Sequence, residues 1–227
     1  MTPTLVARAT AELVGTMLLV ATVVGSGVMA TELTDDVALQ LLANSLATGA
    51  ALVALIVSLQ PVSAAFNPVV TLVELVLRVI PARTAAVLVV AQVVGGALGA
   101  IIANVMFDLS AVDLSSHDRT GTGLWLGEVV ATAGLVLVIV GCTRTGRSDT
   151  IAWAVAGWIV AAYWSTSSTS FANPAVTVAR TLSDTFAGIS PASVPMFVLM
   201  QLVGGAVALG LLRLLHPTPQ RAPGGTR

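Results

Sequence analysis

The chain has 227 residues, 56% of them apolar and only 9% charged, with a mean hydropathy of +0.95; a soluble domain carries roughly 25% charged residues. That deficit points to lipid as the solvent. With a net charge of −1 and no basic run, nothing suggests nucleic acid and it is not expected as a partner, and the single cysteine, Cys142, excludes an intrachain disulfide. Long apolar runs broken by turn or charge signals predict six full spans, in chain order Leu5–Ala30, Val37–Gln60, Thr84–Phe107, Leu124–Cys142, Ile151–Trp164 and Ala192–Leu215. The first is too long for the apolar region of a signal peptide and carries Glu12, so it reads as a retained span.

Two shorter apolar pieces lie between spans, Asn67–Val79 and Asn173–Leu182, and each opens on Asn-Pro. Asn is a favoured N-cap and Pro a favoured first helical residue. Pieces this short cannot cross a bilayer, and they read as re-entrant half-helices. The expected fold is therefore an all-α membrane protein in one domain, 1–227, with residues 216–227 as a cytoplasmic tail.

The halves resemble each other. Ala-Glu-Leu-Val-Gly-Thr at 11–16 recurs as Gly-Glu-Val-Val-Ala-Thr at 127–132, and Asn-Pro-Val-Val-Thr at 67–71 as Asn-Pro-Ala-Val-Thr at 173–177. Ala-Gln-Val-Val-Gly-Gly-Ala at 91–97 recurs as Met-Gln-Leu-Val-Gly-Gly-Ala at 200–206. Three matches in one order, each roughly 110 residues on, mark a duplication covering about 5–107 and 124–215. Three spans per copy is an odd number, so the second copy enters the membrane from the other face and the repeat is inverted. The half-helices then start near the bilayer centre from opposite sides. Two positive helix ends converge there, repelling cations while offering donors to a neutral hydroxyl-bearing solute.

With a cytoplasmic N-terminus, Arg8, Arg78, Arg83, Arg144, Arg147, Arg213, Arg221 and Arg227 fall inside and only Arg119 and Arg180 outside. Glu32, Asp35, Asp36, Asp108, Asp113, Asp118 and Asp184 fall outside. This asymmetry obeys the positive-inside rule and puts both termini in the cytoplasm, as expected for an inner-membrane protein.

Asn67-Pro68-Val69 and Asn173-Pro174-Ala175, with Glu12 and Glu128 in the first and fourth spans and Gln92 and Gln201 in the third and sixth, resemble the major intrinsic protein (aquaporin) family over nearly the whole chain. The resemblance implies six spans plus two half-helices in an inverted repeat, a homotetramer with one pore per subunit, and passive conduction of water or small neutral solutes without a cofactor. It places Asn67, Pro68, Val69, Asn173, Pro174 and Ala175 at the pore centre, and Glu12 and Glu128 as supports that accept hydrogen bonds from the re-entrant loops. It places the outer filter at Thr48, Ala161, Ser170 and Val176. Val176 stands where the family usually has an arginine, so a small, uncharged and wide filter is expected. The run Thr169-Ser170-Phe171-Ala172-Asn173-Pro174-Ala175-Val176-Thr177 is similar to bacterial aquaglyceroporins associated with arsenical resistance, whose substrate is neutral arsenous acid.

Arg180 follows Val176 by one helical turn. It reads either as an ion-pair partner of Asp184 or as a cation overlooking the outer vestibule. The Gly-Gly pairs at 95–96 and 204–205 read as close-packing positions, and His117 as a solvated loop residue. No nucleophile elbow, phosphate-cradling loop or metal-ligand spacing occurs in the sequence, so an enzyme is not expected. Arsenous acid or antimonite, glycerol and some water are the expected solutes. An ordinary glycerol or water facilitator is the near alternative, and an ion-coupled secondary transporter the distant one.

Overall fold

A computed structural model describes residues 3–215. The predicted tail, with His216, Arg221 and Arg227, lies outside them. Eight α-helices follow one another: α1 (Leu5–Leu33), α2 (Val37–Leu59), α3 (Pro68–Val76), α4 (Ala82–Met106), α5 (Thr122–Arg144), α6 (Ile151–Ser165), α7 (Pro174–Ala179) and α8 (Val194–Leu215). No strand occurs among the described residues.

Local chemistry sets the starts. Thr4 caps α1 by accepting the Ala7 N–H, and Asp36 caps α2 by accepting those of Ala38 and Leu39. Asn67 and Asn173 cap α3 and α7, each followed by proline at the first helical position. The half-helices are shorter than the apolar runs suggested, α3 stopping at Val76 and α7 at Ala179. The chain after α7 tightens into a 3-10 turn over Arg180–Leu182.

Five stretches, comprising α1, α2, α4, α5 and α8 with its lead-in from Pro191, are long and apolar enough to cross a membrane. The expected fifth span is the exception. α6 holds 15 residues, about 22 Å at 1.5 Å per residue, against a hydrocarbon core of about 30 Å. Beyond it the chain leaves helix and returns inward through an irregular segment to Asn173.

The two copies pack alike. α1 lies on α4, and α5 on α8. A Cβ on Gly95 would overlap the Leu13 carbonyl, and one on Gly204 would press on that of Val129, so each glycine admits the partner backbone to close range. The equivalence is that of the sequence repeat, since Leu13 and Val129 each follow the repeated glutamate by one residue. α2 and α6 also pack together, and residues such as Val24, Leu135, Val155 and Ile159 form the core. Large apolar side chains on the outer faces, including Leu46, Val90, Trp153 and Leu199, stay exposed, as a surface facing lipid or another subunit requires.

Candidate functional site: a cavity between the half-helices

The N-terminal ends of α3 and α7 meet through a reciprocal pair of hydrogen bonds. Asn67 Nδ2 donates to Ala172 O at 2.8 Å, and Asn173 Nδ2 to Phe66 O at 2.7 Å. Each Asn Oδ1 meanwhile caps its own helix, Asn67 accepting from Val69 N–H and Asn173 from Ala175 and Val176 N–H. An Asn amide has two donor hydrogens, so one remains on each side chain after the cross-bond.

Phe66 and Ala172 both sit at φ 47°, a left-handed conformation that is uncommon for non-glycine residues. Buried carboxylates hold these loops. Glu12 accepts from Ser63 Oγ (2.6 Å), Ala65 N (2.9 Å), Phe66 N (2.7 Å) and Gln92 Nε2 (2.7 Å), and Gln92 Nε2 also donates to Thr71 Oγ1. In the second copy Glu128 accepts from Phe171 N (3.0 Å), Ala172 N (2.9 Å) and Gln201 Nε2 (2.6 Å), and Gln201 Nε2 donates to Thr177 Oγ1. Charge-assisted bonds of this kind offset the desolvation of the carboxylate. Thr71 and Thr177 were not singled out by sequence reasoning, although each sits four residues after a repeated Asn.

A cavity of about 360 Å³ passes between the half-helices. Arg8, Gln60, Glu74 and Ser148 line one end, Asn67 and Asn173 the middle, and Val23, Thr48, Tyr163, Ser170, Val176 and Arg180 the other. The pairing of Arg8 with Gln60, and of Val23 with Thr48, follows from the opposed directions of α1 and α2.

Of the residues expected at the pore centre, only the two asparagines line this cavity. Pro68, Val69, Pro174 and Ala175 are buried in helix packing. Val69 joins Val73, Val136, Ala208 and Leu212 on the side away from the cavity, and the Ala175 carbonyl lies against Gly96 of α4.

The expected filter is corrected in two respects. Thr48, Ser170 and Val176 line the cavity, but Ala161 is exposed on the outer face of α6 and does not. Tyr163 turns inward instead, its hydroxyl 3.2 Å from Thr48 Oγ1. It is the only tyrosine in the chain, and a phenol in an apolar span that needs a partner was the available signal.

Nor is the outer end small and uncharged, for Phe171 and Arg180 line it as well. Arg180 makes no ion pair with Asp184. The Asp184 carboxylate accepts the backbone N–H and hydroxyl of Ser116, and the backbone N–H holds it below the usual carboxylate range. The Arg180 guanidinium folds back, donating through Nε to Ala187 O and lying 3.5 Å from the Phe171 ring centroid. Arg119, from the loop before α5, donates to Gly188 O and lies 5.0 Å from the same ring. His117 is exposed, as expected.

Comparison with known proteins agrees with this architecture. The family model described as Major intrinsic protein matches residues 1–150 and 143–226. The curated protein Aquaglyceroporin AqpS of Rhizobium meliloti (strain 1021) is 48% identical over 226 residues, covering 95% of this chain and 97% of that one. The X-ray structure of the aquaglyceroporin from Plasmodium falciparum superposes with a TM-score of 0.68 at 18% identity, covering 94% of this chain and 98% of that one. At that identity the likeness concerns the fold, with its two half-helices and paired copies.

Proposed function

Because this chain belongs to the major intrinsic protein family, we propose that it is a passive transmembrane channel for small neutral solutes, conducting glycerol and arsenous acid and, less readily per pore, water. The carrying observation is the cavity that runs from Arg8 and Glu74 past both capping asparagines to Val176 and Arg180. Its middle is flanked by two helix N-termini, whose partial positive charge repels cations and hydronium where screening is weak. The free amide hydrogens of Asn67 and Asn173 serve a hydroxyl oxygen in transit. The relative named an aquaglyceroporin supports the polyol class. Arsenous acid, a neutral molecule with three hydroxyls, presents the same hydrogen-bonding pattern to the same wall.

The reading includes a homotetramer in the inner membrane with both termini cytoplasmic. The exposed apolar faces of α2, α4, α6 and α8 suit lipid and neighbouring subunits, and the arginine asymmetry supports the orientation. Proteoliposome swelling tests conduction. Glycerol and arsenite flux should rise linearly with concentration and need no ion gradient, whereas saturation at modest substrate together with dependence on a sodium or proton gradient would indicate a carrier. Val176→Arg should cut glycerol and arsenite flux far more than water flux, because it narrows the wall at a lining position. Equal fluxes in that variant would remove Val176 from the constriction.

A further inference from the structure

We propose that Arg180 is the specificity-determining cation of this pore, set one helical turn beyond Val176 and clamped there by Phe171. The inference rests on the channel reading and names the residue that selects solutes within it.

Four observations converge. Arg180 is only 3% exposed and lines the cavity. Its backbone N–H donates to Val176 O, so it stands directly above the position that lacks a charge. Its guanidinium is oriented from two sides, by the Nε–Ala187 carbonyl bond and by the Phe171 face at 3.5 Å. Among the described residues no carboxylate makes an ion-pair contact with it; Asp184 is hydrogen-bonded to Ser116, and Glu128 to Phe171, Ala172 and Gln201.

A buried guanidinium without a counter-ion is unfavourable unless it faces water or a ligand. Here the space in front of it is the cavity, and the hydroxyl groups across it are incompletely used. Ser170 lines the cavity and is 4% exposed, and its Oγ, itself shielded, has no hydrogen-bond partner. The guanidinium offers donors to an oxygen-rich solute as it sheds its hydration, and the Tyr163 oxygen, its hydrogen given to Thr48, offers an acceptor. The planar fork holds its donors in fixed geometry, which suits the adjacent hydroxyls of a polyol or a trihydroxy acid better than a single water. The same charge repels cations before they reach the asparagines.

The test compares glycerol and water permeability in proteoliposomes of the unmodified chain, Arg180→Met, Arg180→Lys and Phe171→Leu. Arg180→Met should lower the glycerol-to-water ratio by about tenfold, the loss of one hydrogen bond to a charged donor. Arg180→Lys, which keeps the charge and donors but not the fork, should fall between the two, a partial rescue that a purely structural role would not show. Phe171→Leu should shift the ratio in the direction of Arg180→Met, by less. A ratio in Arg180→Met equal to that of the unmodified chain overturns the proposal, as does an identical loss in the Lys and Met variants. If Arg180→Met does not fold, unchanged ratios in both other variants overturn it and a graded shift supports it. Glycerol flux of the unmodified chain no greater than in empty liposomes sinks the channel reading itself, a result distinct from any variant ratio.

Discussion

Tyr163 donates a hydrogen bond to Thr48 across the outer end of the cavity, at 3.2 Å between hydroxyl oxygens. The direction follows from Thr48 itself, whose own hydroxyl hydrogen goes to Asn44 O at 2.8 Å. The bond joins α2 to α6 and puts a phenol where an alanine was expected. Tyr163→Phe should destabilise the folded protein by about 1 kcal/mol, the net value of a typical buried hydrogen bond, and raise glycerol flux by opening the polar bridge. Ala161→Leu, on the outer face, should leave that flux within about twofold, as surface changes remote from a site usually do. Thermal unfolding in detergent and liposome swelling measure both, and a block by Ala161→Leu would return the filter position to Ala161.

Ser170 and Cys142 make opposite predictions for mercurials. Cys142 sits in the last turn of α5, 3.9 Å from Thr150 Oγ1, and does not line the cavity. The unmodified protein should keep most of its glycerol flux in a mercurial. Ser170→Cys puts a thiol on the cavity wall and should make the flux mercurial-sensitive and recoverable with excess thiol. Strong inhibition of the unmodified chain would place Cys142 on the conduction path.

Glu12 and Glu128 should tolerate glutamine poorly. Each oxygen of Glu12 accepts two donors, so an amide in either orientation points an N–H at another donor. Leaving such groups unsatisfied costs about 1–3 kcal/mol. Glu12→Gln and Glu128→Gln should each lower the unfolding temperature and reduce solute flux together, since Phe66 and Ala172 lose the acceptors that hold their left-handed conformation. Unaltered stability in both variants would show that the carboxylates are dispensable as loop anchors.

Orientation is open to cysteine labelling in a Cys142→Ser background. Asp35, Asp113 and Arg147 are all exposed. Cysteines at Asp35 and Asp113 should react with an impermeant maleimide added to intact cells, and one at Arg147 only after lysis. Labelling confined to Arg147 in intact cells would reverse the assignment of both termini.

The spans, the duplication and the two half-helix starts were legible in the sequence because each depends on local chemistry. A run of apolar residues has one low-energy fate in lipid, and Asn-Pro before a short run starts a helix wherever it lies. The repeat carried Glu12, Gln92, Glu128 and Gln201 into equivalent places, and each glutamate accepts from two loop N–H groups and its glutamine, Glu12 adding the Ser63 hydroxyl. Which side of a span faces the cavity was not legible. In a soluble helix polar residues mark the outside, but α6 is apolar nearly all round, so its pattern gave no inward face and the Tyr163 hydroxyl was the one mark that set it apart from Ala161. Packing made the choice, with Thr48 as the partner. Val69 was decided in the same way, by the space α5 and α8 leave behind α3. Arg180 depended on three things that spacing does not encode: the tightening of the chain after Ala179, the return of the Ala187 carbonyl and the face of Phe171. Together they turned a cation expected at the vestibule or on Asp184 back toward the cavity.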